Sequence, residues 1–389
     1  MTYFVGIDIA KYKHDFCILT NDAEIIKEPA TFLNNAEGFN ALKEALDHLD
    51  HSQKIKIGHE ATGHYGKNLK QFLTDNGYEF LELNPYLVKK FIECTTLRKT
   101  KTDKKDCIAI ANFIESNDIK TYRQSLYNNN DLKVLIRNRD KLIRQRSDQL
   151  VIITNVLDRI FPEFKRIFDN KLGKCALSIL EKFPSAEKIS HMTVKQMDLL
   201  RKLGRRISIN KLMSVRDTAK VTVGHPSKAD ELVLKEAIVI HNTINSSIES
   251  YESEIKEIMK SIDSPLTSIP GVGIISAATI IAEYNNMVDF PNADKLLAYA
   301  GLECSRYQSG TQDFHGRMVK RGSPHLRYAL MNLAVGLKTH NTYFANYYLK
   351  KIDEGKHYRV ALNHLVRKFL RVAFKLVSNN EKFDLDKCN

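Results

Sequence analysis

Residues Tyr3–Ile9 read YFVGIDI, an apolar run with one acid near its end. The run predicts a buried strand, and Asp8 inside it poses the first functional question. A carboxylate among Val5, Ile7 and Ile9 is costly if it faces the core unpaired. The ordinary alternative is that Asp8 faces solvent or pairs with Lys11 or Lys13. Outward from this run the pattern is α/β. Asp15–Leu19 (DFCIL) predicts a second strand and Ala23–Lys27 a third, as in a meander. Gly38–Leu49 has helical spacing at Phe39, Leu42, Ala45 and Leu46. Lys54–Glu60 (KIKIGHE) is a strand, Tyr65–Asn76 a helix closed by Gly77, and Tyr78–Leu83 a strand. From Thr102 onward TDKKDCIAIANFIESN reads as a helix.

Three further acids repeat the Asp8 question. Glu60 ends KIKIGHE at a strand-to-helix junction, before ATGHYG. Asp103 and Asp106 are three apart, so both fall on one helix face. Singly, each has a bland reading: a solvated face, or an N-cap at Asp103. Together, an acid on the first strand, one after a later strand and a pair on the following helix can converge at one sheet edge. That gathers hard oxygen ligands for Mg²⁺ or Mn²⁺. Two such ions stabilise the attacking and leaving oxygens of a phosphoryl displacement. The arrangement suits an RNase H-like fold. Arg98, Lys99, Lys101, Lys104 and Lys105 would hold a phosphate backbone nearby, or merely form a charged face.

The middle of the chain predicts two long helices. In Asp131–Phe161, Ile136, Ile143, Leu150 and Leu157 recur every seventh residue. In Leu232–Ile262, Ile244, Ile248, Tyr251, Ile255, Ile258 and Ile262 alternate in steps of four and three, the seam of a coiled coil or long helical hairpin. The second segment suggests a dimerising coiled coil. Residues near 165–230 look like small helices with basic loops such as KLGRRISINK. Ser268–Gly273 (SIPGVG) then precedes an apolar helix, Ile274–Tyr284. A turn at Pro270, Gly271 and Gly273 has the form of a helix-hairpin-helix, whose backbone N–H groups can take a phosphate without reading sequence. A plain interhelical turn is the alternative. LLAYAGL predicts a helix capped at Gly301, and a basic amphipathic helix, Tyr358–Val377, ends the chain.

Between the last helices lies a polar stretch containing RYQSG, Arg306–Gly310. A serine before a glycine is usually a turn residue. A hydroxyl that attacks phosphate needs positive charge near the phosphoryl oxygens and a group to take its proton. Arg306, Arg317, Lys320 and Arg327 could supply the charge. Glu60 or a metal-bound hydroxide could take the proton if the two parts of the chain meet. Ser305, Ser323 and Tyr307 compete with Ser309 for the attacking role.

The chain has 389 residues, 59 Lys and Arg against 46 Asp and Glu, and a formal charge of +13. That length suits two or three domains. The excess charge favours a polyanion, nucleic acid first and an anionic membrane surface second. No segment reaches the roughly 18 apolar residues of a spanning helix. Asp8 comes too early for a signal peptide. Cys17, Cys94, Cys107, Cys175, Cys304 and Cys388 form no CxxC pair, which argues against a zinc ribbon and for reduced thiols. The expected location is the bacterial cytoplasm, at the nucleoid.

The ordered set GIDIAK, HEATGHYG, KTDKKD, IPGVG, FPNADKLLAYAGL, YQSG and KRGSPHLRYAL resembles the DEDD-type insertion-sequence transposases of family one-ten, which use a bridge RNA. It is also similar to the related pilin-gene DNA invertases. The likeness covers nearly the whole chain, with a longer helical middle than in the shorter members. It implies a RuvC-like domain at 1–125, a helical or coiled-coil region at 126–262 and a transposase domain at 263–389. It also implies metal-binding acids at Asp8, Glu60, Asp103 and Asp106 and a nucleophilic serine at Ser309. The expected partners are double-stranded DNA at element ends and target, a guide RNA and further copies of the chain, as a dimer or tetramer.

The reading that results is a DNA recombinase that excises and inserts a mobile element through a transient phosphoserine link. Two others stay open. A RuvC-like nuclease or junction resolvase would use water and form no adduct. An architectural DNA-binding protein would use the glycine hairpin and positive charge, and would not need the acids.

Overall fold

The computed structural model describes residues 1–22, 24–95, 103–117, 129–169, 171–202, 207–225, 227–309 and 312–386. Backbone alone is described at 103, 104, 129, 306, 307, 309 and 312–315. The chain divides into two compact units, Met1–Gln124 and Ser125–Asn389.

The first unit is built on five strands: β1 Thr2–Ile9, β2 Lys13–Leu19, β3 Ile25–Leu33, β4 Lys54–Glu60 and β5 Phe80–Leu83. Their order is β3-β2-β1-β4-β5. β2 runs antiparallel to β1 and β3, while β4 is parallel to both β1 and β5. This mixed sheet is consistent with the RNase H-like expectation. Alternation along β1 divides the core. Val5, Ile7 and Ile9 join Phe16, Phe32 and Ile57 beneath α1 Ala36–Asp47 and α2 Lys67–Asp75. Phe4, Cys17, Leu81 and Leu83 join the opposite face, packed on α3 Pro85–Thr95 and α4 Asp103–Ser116. The meander is longer than its sequence suggests. β3 continues to Leu33 through Pro29, as an edge strand can. The helix expected at Tyr65–Asn76 splits into a 3-10 turn, Gly63–Gly66, and α2.

Glycine decides how closely α4 approaches the sheet. A Cβ on Gly6 would lie 2.1 Å from the Cys107 carbonyl oxygen and 2.6 Å from the Ala111 nitrogen. On β4, a Cβ on Gly58 would lie 2.9 Å from Ile114. Removing both side chains lets the helix backbone lie against β1 and β4.

The second unit begins with α5 Asn129–Ile160. Short helices follow: α6 Phe164–Ile167, α7 Lys174–Lys182, α8 Ala186–Ser190, α9 Val194–Lys202 and α10 Ile209–Lys220. α11 Lys228–Ile262 returns along α5. Arg139 bonds Glu252, Arg146 bonds Asn245 and Arg159 bonds Asp230, so the two long helices run antiparallel. The heptad seam of α11 is buried at Ile248, Ile255 and Ile262 and half-buried at Ile244, Tyr251 and Ile258. It packs on α5 of its own chain, the helical-hairpin form that the same spacing allows. Apolar spacing specifies that a stripe is covered; it does not specify by which copy. Around the α5–α11 ends farthest from Asn129, Ile153, Leu157, Leu180, Leu212 and Ile238 share a core of their own.

Beyond a 3-10 turn at Pro265–Ser268 come α12 Ile274–Tyr284 and α13 Ala293–Tyr299. The polar stretch expected to form loops is instead a two-stranded hairpin, β6 Cys304–Ser309 and β7 Gln312–Met318. α14 Pro324–His340, α15 Thr342–Asp353 and α16 Tyr358–Asn379 complete the unit. Leu330, Leu337, Phe344, Leu365 and Phe369 pack with Leu132 and Ile136 of α5 in its larger core. Among the described residues no helix is long and apolar enough to cross a membrane.

Candidate catalytic sites

Asp8 and Glu60 end adjacent parallel strands at the same level, since Ile7 pairs with His59 one residue earlier. Gly6 and Gly58, two residues before them, both face α4. Strand alternation turns Asp8 and Glu60 toward that same face, and both are half-buried. The first turn of α4 carries Asp103 and Asp106. Immediately after them Cys107 is fully buried. A hydrogen bond with Cys17, then burial, pushes its thiol pKa up, and the charge of Asp15 adds to this.

Asp15 is the residue that sequence reading passed over. It pairs directly with Asp8 across the antiparallel β1–β2 ladder, on the α4 face. It is only 4% exposed and accepts a hydrogen bond from the Thr31 hydroxyl. The one available signal was its place at the start of DFCIL, a short predicted strand next to the Asp8 strand.

The donor set is all carboxylate oxygen, the chemistry that suits Mg²⁺ or Mn²⁺. Among the described residues no three His, Cys, Asp or Glu side chains converge to hold an ion. The Asp103 side chain lies outside that description, as do Arg98, Lys99 and Lys101 and the Lys104 side chain. By backbone placement Asp8 and Glu60 stand at the ends of neighbouring strands, facing the helix whose first turn carries Asp103 and Asp106.

On the opposite face, at the same end of the sheet, two histidines are wholly buried. Among the described residues no group meets hydrogen-bond geometry at either ring nitrogen of His14, though Asn34 lies close enough to act on it, and His59 has a partner at Nδ1 alone, 3.0 Å from the Glu60 carbonyl oxygen. Burial lowers both pKa values, against the pull of Asn34 and Asp15 on His14 and of Glu60 and Glu82 on His59.

In the second unit Ser309 is the last residue of β6 and pairs with Gln312. Its side chain, those of Arg306, Tyr307 and His315, and residues Gly310 and Thr311 lie outside the description. The competing serines are engaged. The Ser305 hydroxyl bonds the Arg317 carbonyl at 3.3 Å. Ser323 caps α14 and donates to Glu283 at 2.7 Å. Arg317 and Lys320 are exposed. Arg327 donates to the carbonyls of Ala300 and Lys320, tying the loop after β7 to the end of α13.

Next to Ser323 lies an ion pair with one buried member. Glu283, 1% exposed, accepts from Arg137 Nε at 2.8 Å and from its terminal nitrogen at 3.1 Å. Burial alone would raise the Glu283 pKa, but the bonds from Arg137 and Ser323 outweigh it and hold the carboxyl below its ordinary value.

At the glycine hairpin, Gly271 has φ +94° and approaches Gly336 of α14 backbone to backbone. The Asn341 side chain fixes the Pro270 carbonyl at 3.2 Å. Pro270 and Gly273 are exposed, and α12 starts at Gly273 without a side-chain cap.

The sheet order, with acids at the ends of adjacent strands, is consistent with an RNase H-like domain. Residues 5–162 match a family model described as a transposase, of the DEDD type found in element IS110. Residues 263–349 match the model of the IS116/IS110/IS902 transposase family. The pilin gene-inverting protein of Moraxella lacunata is 22% identical over 98% of this chain and 97% of its own length. The insertion element IS110 uncharacterized 43.6 kDa protein of Streptomyces coelicolor is 23% identical over 74% of this chain and 73% of its own length. The transposase of insertion sequence element IS1111A from Coxiella burnetii is 27% identical over 36% of this chain and 40% of its own length. The chain belongs to the IS110-type transposase family.

Proposed function

We propose that this transposase excises and inserts its element through a divalent-metal carboxylate site and a serine nucleophile. The observation that carries the first half is the placement of Asp8 and Glu60 at one level on neighbouring strands, facing the helix that starts with Asp103 and Asp106. These four acids would hold Mg²⁺ or Mn²⁺, which when bound would neutralise charge on the phosphate under attack. The Ser309 hydroxyl attacks phosphorus and loses its proton. The bond to the departing strand oxygen breaks, and that strand leaves as a hydroxyl. A new strand hydroxyl then attacks the phosphoserine, forms the joined phosphodiester and releases the serine. The number of phosphoester bonds is conserved.

Ser323 is engaged with Glu283; the choice of Ser309 over Ser305 and Tyr307 rests on the family likeness. Arg306, Arg317 and Lys320 are assigned to phosphate contacts. Arg327 is assigned to holding their loop. Pro270, Gly271 and Gly273 are assigned to a helix-hairpin-helix contact with the DNA backbone, at the uncapped start of α12. The long α5–α11 pair is the coiled-coil region of a three-part chain, and a bridge RNA selects the DNA. This RNA and an assembly of several copies rest on the family likeness.

The test places the gene beside its own element in cells and detects the excised circle junction by PCR. Wild type, Asp8→Asn and Ser309→Ala are compared at matched protein levels. Loss of the junction in both variants supports the reading. Loss in Asp8→Asn alone makes water the nucleophile, and retention in both returns the chain to a DNA-binding role.

A further inference from the structure

A groove of about 360 Å³ opens between α15 and α16. Tyr343, Asn346, Tyr347 and Lys350 line it from one face of α15, at helical spacing, and Lys368 reaches in from α16. The Lys368 ammonium lies 4.9 Å from the Tyr343 ring centre and 5.6 Å from that of Tyr347. Lys351, ion-paired with Glu354, also lies 5.4 Å from the Tyr347 ring centre. Elsewhere in the unit a further lysine is held by tyrosines in the same way. Lys338 lies 5.0 Å from the Tyr348 ring and 4.9 Å from the Tyr358 ring. Neither Lys350 nor Lys368 makes an ion pair among the described residues. α16 carries Arg359, Arg367, Lys368, Arg371 and Lys375 and no Asp or Glu. Leu385 closes one rim, with Asp384 and Asp386 on either side of it.

We propose that this groove binds an unpaired stretch of nucleic acid, with a base stacked on Tyr347 and its phosphate drawn to Lys350 and Lys368. The inference rests on the transposase reading for its partner class and goes beyond it in the site. Aromatic faces interleaved with unpaired lysines are what a single strand requires, because each base offers a flat face and each link a negative charge. A duplex hides its base faces and presents phosphate alone. Asn346 supplies an amide for a base edge.

The test measures anisotropy of short labelled oligonucleotides with the full chain: single-stranded RNA, single-stranded DNA of the same sequence, and the DNA duplex, with heparin as a polyanion lacking bases. Tyr347→Ala is expected to weaken single-strand binding by roughly 10-fold. Tyr347→Phe should keep it, and duplex and heparin binding should stay within about twofold. Lys368→Gln should flatten the salt dependence for single strands by about 0.7 in log–log slope. Tyr343 and Tyr347 both border the core, so Tyr347→Phe and unchanged duplex binding separate loss of the groove from loss of the fold; Tyr343, stacked edge-on against Phe344, is left intact. A larger loss on RNA assigns the groove to a guide-type strand, and a larger loss on DNA to a displaced strand. No loss on any single strand, or an equal loss on duplex or heparin, overturns the proposal. Binding is read without strand exchange, so Ser309→Ala and Asp8→Asn proteins give the same result even if the catalytic reading fails.

Discussion

Asp8 and Asp15 stand directly opposite each other on antiparallel strands β1 and β2, with their side chains on the same face of the sheet. Like charges so placed repel, and Asp15 is almost fully buried, so water screens it little. Asp15→Asn is therefore expected to raise the melting temperature of the metal-free protein by roughly 2–4 °C. The same variant should gain less than wild type from added Mn²⁺. Thermal unfolding with and without the ion checks both. A lower melting temperature would mean that the Thr31 bond to Asp15 outweighs the repulsion.

Gly6→Ala tests whether close backbone approach holds α4 in place. The added methyl overlaps the Cys107 carbonyl, which is backbone and cannot swing away. A loss of about 3 kcal/mol is expected, read as a lower urea midpoint at unchanged slope. Gly77→Ala serves as the control, since nothing lies within 4 Å of a Cβ there and only its positive φ is strained.

Arg137→Ala should destabilise the second unit by about 1–3 kcal/mol: Glu283 is buried and loses its charged partner, but Arg137 is 41% exposed and Ser323 still bonds the carboxylate. The pH dependence follows from the lowered Glu283 pKa. Unfolded chain binds the proton more readily, so the stabilisation is complete above the ordinary carboxylate value. It is lost as pH falls through the lower folded value. The stability lost in the variant should therefore shrink as pH falls through that window. A loss that stays the same at every pH would show that Ser323 alone holds the Glu283 pKa down.

His14 and His59 are neutral in the fold because burial lowers their pKa values. Unfolding lets them take protons below the ordinary histidine value of 6.5. Stability should fall as pH drops from about 7 to about 5. His14→Phe should flatten that fall, since Phe32 and Phe39 already surround the ring. Melting temperatures across this range decide it.

Much of the first unit was legible because its strands are apolar and bounded by polar turns. Asp8 and Glu60 stood out as acids within such runs. The β6–β7 hairpin was not legible: Arg306, Gln308, Asp313 and His315 break any apolar alternation. Backbone pairing, which sequence pattern does not register, makes those residues strands. α3 and α15 were missed for a related reason. Each presents few buried residues, Val88 in one and Phe344 in the other, so its periodicity is faint.

By itself the sequence determined the strands of the first unit and its helices other than α3, the acids worth testing and the two long apolar stripes. These follow from local periodicity and the cost of burying charge. Only the tertiary structure decided which strand lies beside which, and so that Asp15 faces Asp8. It also decided that the α11 stripe is covered by α5, that Ser323 serves Glu283, and that Tyr343 and Tyr347 share a lysine from another helix. Each of these joins residues far apart in the chain, through packing and register that local sequence leaves open.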